Sequence, residues 1–382
     1  MPWLETNVRE QRVQFVIEAV QPGAKLSALC RQRGISRKTG YKWVARYQAA
    51  GSLTGVVNRS RRPHCSPTRT PAAVTGRVVA LRRQYGWAGR KLRRLLAAEG
   101  LRLAPATIDR IIRREGLVDR DEAHRPAVQR FERAHPNELW QMDFKGQYPL
   151  PGRAECFPLS VLDDHSRYAV GLWALSGTDG APVHARLVRC FEHYGLPDAM
   201  LIDHGGPWWC APNGHGLTRL AVALLTQGID LVYSGVRHPQ TQGKVERFHR
   251  TLGRRVRQWG VPTSLAGFGE AFARFRVEYN DVRPHEALGL EPPSAHYQPS
   301  RRRYQPRPPA WEYPAGSVVL RVDHTGSIRY GGRRYFVCHA LEDQWVGCQA
   351  FDHQVLVTFR RMHVRELDLR SGQTRPVLWR TD

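Results

Sequence analysis

The stretch QTQGKVERFHRTLGRRVRQW, residues 240–259, decides how the rest of the chain is interpreted. Four of its arginines recur at steps of three or four residues, namely Arg247, Arg250, Arg254 and Arg257. This spacing predicts a helix with one basic face. Near the start of that helix stands a single acidic residue, Glu246. A basic face is often only solvated, but beside an active site it favours contact with phosphate groups.

Two strands are predicted to bring further carboxylates to Glu246. In ELWQMDFKG the alternation of side chains predicts a strand that carries Asp143, and AMLID predicts a short buried strand that ends at Asp203. Open α/β sheets bind ligands at the carboxyl ends of their strands, and the Glu246 helix would cross that edge. Carboxylates suit Mg²⁺ or Mn²⁺, and two such ions about 4 Å apart stabilise the attacking and leaving oxygens of a phosphoryl transfer. We therefore predict Asp143, Asp203 and Glu246 as catalytic residues and metal ligands, with two ions per site.

The region 137–298 around these residues predicts a layered α/β domain. Three strands are followed by a helix, a strand, a helix, a further strand and the Glu246 helix. Asp163 and Asp164 lie between two of the strands, and this position predicts a hairpin turn and not a catalytic pair. His249 is a candidate base, but a metal-dependent mechanism needs none.

The distribution of charge separates this core from its flanks. Within the formal net charge of +24, residues 126–299 carry 18 Lys and Arg against 17 Asp and Glu. Residues 1–62 carry 12 against 3, residues 63–125 carry 14 against 6, and residues 300–382 carry 14 against 8. Basic flanks favour binding to a polyanion, and arginine in particular favours phosphate.

Residues 1–57 predict a helix-turn-helix domain that binds double-stranded DNA. Val8–Val20 has apolar residues at helical spacing, a short helix Lys25–Arg33 ends at Gly34, and Ser36 caps a third, basic helix. The last helix of such a motif enters the major groove. Its candidates for DNA contact are Arg37, Lys38 and Lys42. A three-helix bundle that binds nothing is the alternative.

A second helix-turn-helix domain is predicted at residues 72–120, after a basic linker at 58–71 that is rich in Pro, Arg, Ser and Thr. This linker contains Arg59, Arg61 and Arg62, whose side chains either enter a minor groove of DNA or remain in solvent. In the second domain, the candidates for DNA contact are Arg90, Arg110 and Arg113. Two tandem domains imply a bipartite DNA site, which suits a protein that finds particular DNA ends and equally suits a repressor.

A small C-terminal domain is predicted beyond a connector at 121–136 and the α/β core. A Pro/Arg linker spans 299–314, and residues 315–382 have short strands separated by turns at HTGS, YGGR, LEDQ and FDHQ. This pattern predicts a small antiparallel β-barrel. Its role stays open between DNA binding, dimerisation and packing.

The seven cysteines are scattered, and the absence of a CxxC pair predicts reduced thiols. No apolar run approaches the length of a membrane span, and the opening MPWLETNVREQ differs from a signal peptide. We therefore expect a cytoplasmic protein, associated with the nucleoid.

Four segments carry a resemblance to a known family: WQMDFKG, VLDDHSRY, LIDHGGPW and HPQTQGKVERFHRTL. They resemble the integrase-core transposases of bacterial insertion sequences, relatives of retroviral integrases, and the opening resembles the branch with a short N-terminal helix-turn-helix. The likeness runs from about residue 1 to 290 and implies a ribonuclease-H-like fold with an Asp-Asp-Glu triad. Asp143, Asp203 and Glu246 match that triad position by position. The resemblance also implies that Gln242 and Lys244 contact DNA near the cut phosphate, with helix capping as the alternative.

Two departures from the family pattern are visible. His204 follows the second aspartate where the family usually has Asn, whose side chain hydrogen-bonds locally and tolerates unusual backbone angles. In addition, 42 residues separate Asp203 from Glu246, more than is usual, through WWCAPNGHG. An insertion in a loop is tolerated, whereas His204 is expected to weaken activity.

The resemblance implies a transposase that binds the terminal repeats of its element, hydrolyses a phosphodiester and joins the freed 3′ hydroxyl to target DNA. Water and then the 3′ hydroxyl would be the nucleophiles. Because two ends must meet, we expect a dimer or higher oligomer on DNA. Two alternatives stay open. One is a DNA-binding regulator whose core has lost catalysis, and the other is a structure-specific nuclease, which two tandem DNA-binding domains fit poorly.

Overall fold

The computed structural model describes residues 7–60, 69–118, 132–210, 216–234 and 243–377. The chain divides into two compact units, one up to Pro71 and one from Ala72 onward. Three predicted DNA contacts lie outside the described residues: Arg61, Arg62 and Gln242. Most of the connector at 121–136 lies outside them too. Within the described ranges, no helix has the length and apolar character needed to cross a membrane.

The first unit contains a three-helix domain with α1 (Val8–Ala19), α2 (Leu26–Gln32) and α3 (Arg37–Ala50). The Ser36 hydroxyl accepts a hydrogen bond from the Thr39 amide at 3.2 Å, so the predicted cap of the third helix is confirmed. The core of this domain is formed by Phe15, Val16, Cys30, Trp43 and Val56. The three helices expected from the sequence are therefore present.

The second unit begins with another three helices, α4 (Ala72–Tyr85), α5 (Gly89–Ala98) and α6 (Pro105–Arg114). Helix α5 starts in close contact with α6, because the Gly89 amide donates to Asp109 Oδ1 at 2.8 Å. A Cβ at residue 89 would also lie only 2.7 Å from the main-chain carbonyl oxygen of Pro105. Glycine is thus required where the two helices meet. The shared core includes Leu92, Leu96, Ile108, Ile111 and Ile112.

An α/β core follows in the second unit. Its strands are β1 (Leu139–Phe144), β2 (Tyr148–Pro149), β3 (Glu155–Asp163), β4 (Ala169–Leu175), β5 (Ala199–Ile202) and β6 (Asp230–Tyr233). Its helices are α7 (Gly180–Tyr194), α8 (Arg219–Thr226), α9 (Gly243–Trp259) and α10 (Leu265–Val277). The strand order is β4-β3-β1-β5-β6, with β2 beside β3. Strands β1, β5 and β6 are parallel, while β3 is antiparallel to β1.

Helices cover both faces of this sheet. Trp140 and Met142 of β1 face a core that is shared with α7 and α8. Leu162 of β3 and Leu172 of β4 face the opposite core, which is shared with α9 and α10. Because both faces are covered, four of the six residues of β1 are buried and not every second one. The layered α/β arrangement predicted from the sequence is confirmed.

The C-terminal domain contains strands but differs from the prediction. They are β7 (Val318–Arg321), β8 (Ser327–Tyr330), β9 (Arg333–Phe336), β10 (Trp345–Phe351), β11 (Gln354–Phe359), β12 (Met362–Asp368) and β13 (Thr374–Pro376). Five of them form an antiparallel sheet in the order β13-β12-β11-β10-β7, while β8 and β9 pair only with each other. Among the residues described, no pairing joins the two edges, so the predicted β-barrel is not confirmed. Strand β7 pairs only with β10 among the described strands and is an edge of the five-stranded sheet.

The segment 298–305, which includes the start of the predicted Pro/Arg linker, is bound to the α/β core. Arg302 donates hydrogen bonds to the carbonyls of Pro197 at 2.5 Å and Gly228 at 2.7 Å, at the turns that lead into β5 and β6. A Cβ at Gly195, where φ is +77°, would lie 2.7 Å from the Arg302 carbonyl oxygen. The segment therefore runs in direct backbone contact with the core.

Candidate active site

The parallel pairing of β1 with β5 brings two of the predicted catalytic residues to one edge of the sheet. Gln141 of β1 is in register with Leu201 of β5. The same register, continued by two residues, sets Asp143 level with Asp203. Both side chains are partly exposed and lie where the two strands end. This is the strand-end position at which sheets of this kind bind ligands.

Asp203 is held in place by the turn that follows it. Its Oδ1 accepts hydrogen bonds from the Gly205 amide at 2.9 Å and from the indole nitrogen of Trp208. The buried Trp208 ring stacks on Phe144, with centroids 5.5 Å apart and planes 16° from parallel. Phe144 directly follows Asp143, so this aromatic pair connects the two strand ends. Trp208 belongs to the WWCAPNGHG stretch, and that stretch therefore helps to orient a catalytic candidate.

Helix α9 lies along β1 and carries Glu246 in its first turn. His249 Nδ1 is 3.7 Å from Asp143 Oδ2. One turn later, a Cβ at Gly253 would lie 3.1 Å from Cε of Lys145, the residue that follows β1. Glu246 is exposed, and its charge acts on Asp143. Glu246 thus stands on a helix that packs against the strand of Asp143.

The environment of Asp143 favours the neutral carboxyl group. Its pKa is raised from the usual 3.8 to about 7, first by burial and then by the negative charge of Asp203. Glu246 acts in the same direction, against a hydrogen bond from the Phe144 amide. Three acids that repel one another in this way are stabilised by a cation, which would return Asp143 to its charged form.

The donor set can be tested for its fit to a divalent ion. Three carboxylates offer the hard oxygen ligands that Mg²⁺ and Mn²⁺ prefer, and substrate phosphates with water complete such a shell. Among the described residues, no group of three His, Cys, Asp or Glu side chains lies close enough to hold an ion unaided. The chemistry of these three carboxylates nevertheless fits a hard divalent ion.

His249, considered from the sequence only as a base that a metal-dependent mechanism does not need, also lies at this site. Its ring is buried, and Nε2 lies 2.6 Å from Ser160 Oγ, which is 3.1 Å from the Asp143 carbonyl oxygen. Burial lowers the pKa of His249 to about 3, so the imidazole is neutral near pH 7. Its position three residues after Glu246, on the same side of the helix, was the available signal.

A second acidic pair, Asp163 and Asp164, occupies the predicted turn between β3 and β4. Asp164 Oδ1 accepts hydrogen bonds from the Gln141 side chain at 2.7 Å and from Lys244 at 2.6 Å. Its Oδ2 accepts one from the Arg133 amide at 2.8 Å. Asp163 accepts hydrogen bonds from the Asn137 amide, the Ser166 amide and the Ser166 hydroxyl. Both carboxylates are buried and matched by donors, which indicates a structural role.

Lys244, predicted to contact DNA, is engaged within the protein. Its Nζ lies 2.6 Å from Asp164 Oδ1 and 3.0 Å from the Asp164 carbonyl oxygen. Its side chain is 17% exposed, and burial lowers its pKa. A contact between Lys244 and DNA would therefore have to replace this ion pair.

Most of the other predicted DNA contacts are on the surface. The exposed ones are Arg37, Lys38, Lys42, Arg59, Arg90, Arg110, Arg113, Arg247, Arg250 and Arg254. The last three, with Arg257, form the basic face predicted for α9. Arg255, which lies among them in the sequence, is buried instead.

His204 adopts ordinary backbone geometry. It is not among the described residues with positive φ. Its ring is exposed and meets Trp209 edge-on, with centroids 4.6 Å apart. The backbone angle that asparagine tolerates is therefore not required at this turn.

Family models match three parts of the chain. An integrase core domain model matches residues 227–293, a helix-turn-helix domain model matches residues 11–64, and a homeodomain-like domain model matches residues 39–112. The integrase match contains Glu246 with α9 and α10. The helix-turn-helix match begins within α1 and contains α2 and α3, and the homeodomain-like match extends into α6.

Two relatives come from insertion elements. The chain is 29% identical over 238 residues to the insertion element IS407 uncharacterized 31.7 kDa protein of Burkholderia multivorans, which covers 60% of this chain and 82% of that protein. It is also 29% identical over 242 residues to the insertion element IS476 uncharacterized 39.2 kDa protein of Xanthomonas euvesicatoria. That match covers 60% of this chain and 66% of that protein.

Similar solved structures are viral integrases. The simian T-cell lymphotropic virus intasome in complex with the PP2A regulatory subunit B56 gamma matches 79% of this chain and 99% of its own, at 12% identity and a TM-score of 0.38. The trimeric HTLV-2 integrase catalytic core in complex with magnesium matches 43% of this chain and 99% of its own, at 13% identity and a TM-score of 0.34. The catalytic core domain of BIV integrase matches 42% of this chain and 93% of its own, at 20% identity and a TM-score of 0.33. Likenesses at these TM-scores carry no argument about function.

Proposed function

We propose a function for this chain, which belongs to the integrase-core transposases of insertion sequences. It cuts DNA at the ends of its element and joins those ends to target DNA, in a reaction that needs Mg²⁺ or Mn²⁺. One observation carries this proposal. Asp143 and Asp203 end two neighbouring parallel strands at the same level, and the charge of Glu246 on α9 acts on Asp143.

The triad residues would each hold metal through carboxylate oxygens. Two divalent ions, when bound, stabilise the attacking and leaving oxygens of the phosphoryl transfer. Asp203 is oriented for this by the Gly205 amide and the Trp208 indole. His249 is neutral and hydrogen-bonds to Ser160, whose hydroxyl donates to the main-chain carbonyl of Asp143, so it would support the backbone of the strand at Asp143. Water and then the 3′ hydroxyl of the cut strand are the nucleophiles.

The helical domains would recognise the terminal repeats. Helix α3 presents Arg37, Lys38 and Lys42 on its exposed side, and α6 presents Arg110 and Arg113. Exposed basic residues on the last helix of such a domain suit a DNA groove. Two such domains in one chain suit a bipartite site, and because two ends must be joined we propose at least a dimer on DNA.

The alternative function is a DNA-binding regulator whose core does not cut. One observation favours it, namely that no group of three metal-ligating side chains is already assembled among the described residues. His204 in place of asparagine points the same way, although its ordinary backbone angle weakens that argument.

A cleavage and joining assay separates the two functions. Labelled duplexes carrying the ends that flank the gene are incubated with the protein and Mg²⁺ or Mn²⁺, and Glu246→Gln is compared with the wild type. Glu270→Gln is the matched control, because Glu270 is an exposed glutamate on the neighbouring helix α10.

The proposed function requires that wild type and Glu270→Gln nick and join the ends, while Glu246→Gln binds equally well and does neither. If all three proteins bind the ends and none cuts them in either metal, the chain is a DNA-binding regulator.

A further inference from the structure

A buried arginine connects the second helical domain to the helix that carries Glu246. Arg255 stands on α9, nine residues after Glu246, which is about 13 Å along a helix. Its side chain is 6% exposed. The guanidinium pairs with Glu278 through Nη2, and through Nε at 3.1 Å. A charge buried this deeply is tolerated only when it is paired and hydrogen-bonded.

The other end of the Arg255 guanidinium reaches α4. Its Nη1 donates to the carbonyl of Gln84 at 2.5 Å and to Oε1 of Gln258 at 2.6 Å. Gln258, also on α9, donates from Nε2 to the carbonyl of Arg83 at 2.9 Å. Carbonyls in the last turn of a helix lack partners within the helix and form the negative end of its dipole. Helix α9 therefore caps the end of α4 with a cation and an amide.

Aromatic rings enclose this contact, which we call the α4–α9 junction (Gln84, Tyr85, Arg255, Gln258 and Trp259). The Arg255 guanidinium lies 4.6 Å from the ring centroid of Trp259 and 5.6 Å from that of Tyr85. Tyr85 stacks on Trp87 at 4.5 Å, and the guanidinium of Arg283 from the core lies 5.5 Å from the Trp87 ring. The planar Arg255 side chain thus makes contacts that a lysine could not reproduce.

We propose that Arg255 is a positioning residue that fixes the distance between the DNA sequence bound by the second helical domain and the phosphodiester that is cut beside Glu246. Helix α9 holds Glu246 near one end and Arg255 near the other, and Arg255 ties α4 to it. The exposed arginines of α6 move with α4, because α4, α5 and α6 share one core. This inference rests on the proposed function, since it assumes that α9 meets the cut phosphate.

The test compares where Arg255→Ala and the wild type cut a labelled element end. We expect the variant to bind the duplex within about twofold of the wild type but to lose about fivefold or more of the cuts at the wild-type position, with new cuts at neighbouring phosphates. Arg255→Lys keeps the charge but not the planar guanidinium with its several donors. Its distribution of cut positions should lie between those of the wild type and Arg255→Ala. The matched control is Arg274→Ala, which removes a cation that stacks on the same Trp259 ring from α10.

A double variant guards against simple misfolding. Arg255→Ala leaves Glu278 as a buried charge, whereas Arg255→Met with Glu278→Gln removes both charges and keeps the volume. Circular dichroism and thermal unfolding verify that each variant is folded. A folded double variant with scattered cuts supports the proposal. Folded variants that cut more slowly but only at the wild-type phosphate would overturn it, because Arg255 would then be merely structural.

A measurement without catalysis separates this inference from the proposed function. Glu246→Cys is cross-linked to duplexes that carry a thiol tether at successive phosphates, with and without Arg255→Ala. One dominant cross-linked phosphate that becomes several on loss of Arg255 supports positioning, even if the wild type does not cut. An unchanged cross-linking pattern contradicts it, whatever the cleavage assay shows.

Discussion

The core contains two groups of acids, and they differ in what compensates their charge. The turn pair, Asp163 and Asp164, is buried and receives hydrogen bonds from backbone amides, Ser166, Gln141 and Lys244. The triad lies at a strand edge, where burial and then the negative charges of Asp203 and Glu246 raise the pKa of Asp143 to about 7. A charge that the protein itself compensates maintains the fold, whereas charges left to repel one another await a ligand.

The largest expected effect is on catalysis at the triad. Asp203→Asn keeps an oxygen for the Gly205 and Trp208 donors but removes the charge that would hold metal. We expect cleavage of element ends to fall on the order of 10³-fold, with binding of the duplex unchanged. Asp281→Asn, at an exposed aspartate, should cut at the wild-type rate. Rates within tenfold of wild type for Asp203→Asn would remove it from the triad.

The turn pair should instead respond in stability. In Asp164→Asn the partly buried Lys244 loses its counter-charge, and an amide group faces N–H donors. We expect the free energy of unfolding of the second unit to fall by about 3 kcal/mol, the usual cost of breaking a buried ion pair. Denaturant unfolding followed by tryptophan fluorescence measures this. A loss below about 0.5 kcal/mol would mean that the pair is no more than a surface contact.

In contrast to Asp164→Asn, the substitution Asp143→Asn should increase the free energy of unfolding at high pH. Because the pKa of Asp143 is raised in the folded protein, the folded state loses stability as the pH rises from about 4, and the loss is complete above about 7. In EDTA at pH 8 the variant should be more stable than the wild type by about 2 kcal/mol, with little difference at pH 4. Mg²⁺ should narrow the gap at pH 8 by stabilising the wild type. A variant less stable than the wild type at pH 8 would place Asp143 with the turn pair.

How far the sequence leads can be seen from particular residues. The strands of Asp143 and Asp203 and the helix of Glu246 follow from local patterns of apolar side chains, and adjacent parallel strands then bring their ends together. The cap at Ser36 is equally local. These features depend on neighbours within a few residues, so the sequence reports them directly.

Other features depend on partners that are distant in sequence. Lys244 looks like a DNA contact until Asp164, 80 residues away, is found beside it. Arg255 directly follows Arg254 of the basic face but is buried, and its carbonyl partner on Gln84 is 171 residues away. His249 and the closure of the C-terminal sheet also depend on tertiary pairing. Periodicity shows which side of a helix a residue occupies, but it does not show what lies opposite.

The bound segment 298–305 has a consequence for exchange between related elements. Recombination that joins the core of one element to the C-terminal domain of another could take place at any point in the Pro/Arg run, judged by composition alone. A crossover before Arg302 would bring in a foreign partner for the carbonyls of Pro197 and Gly228 and for the close approach at Gly195. A crossover after Gln305 would preserve those contacts. Viable hybrid genes should therefore have their junctions downstream of the bound segment.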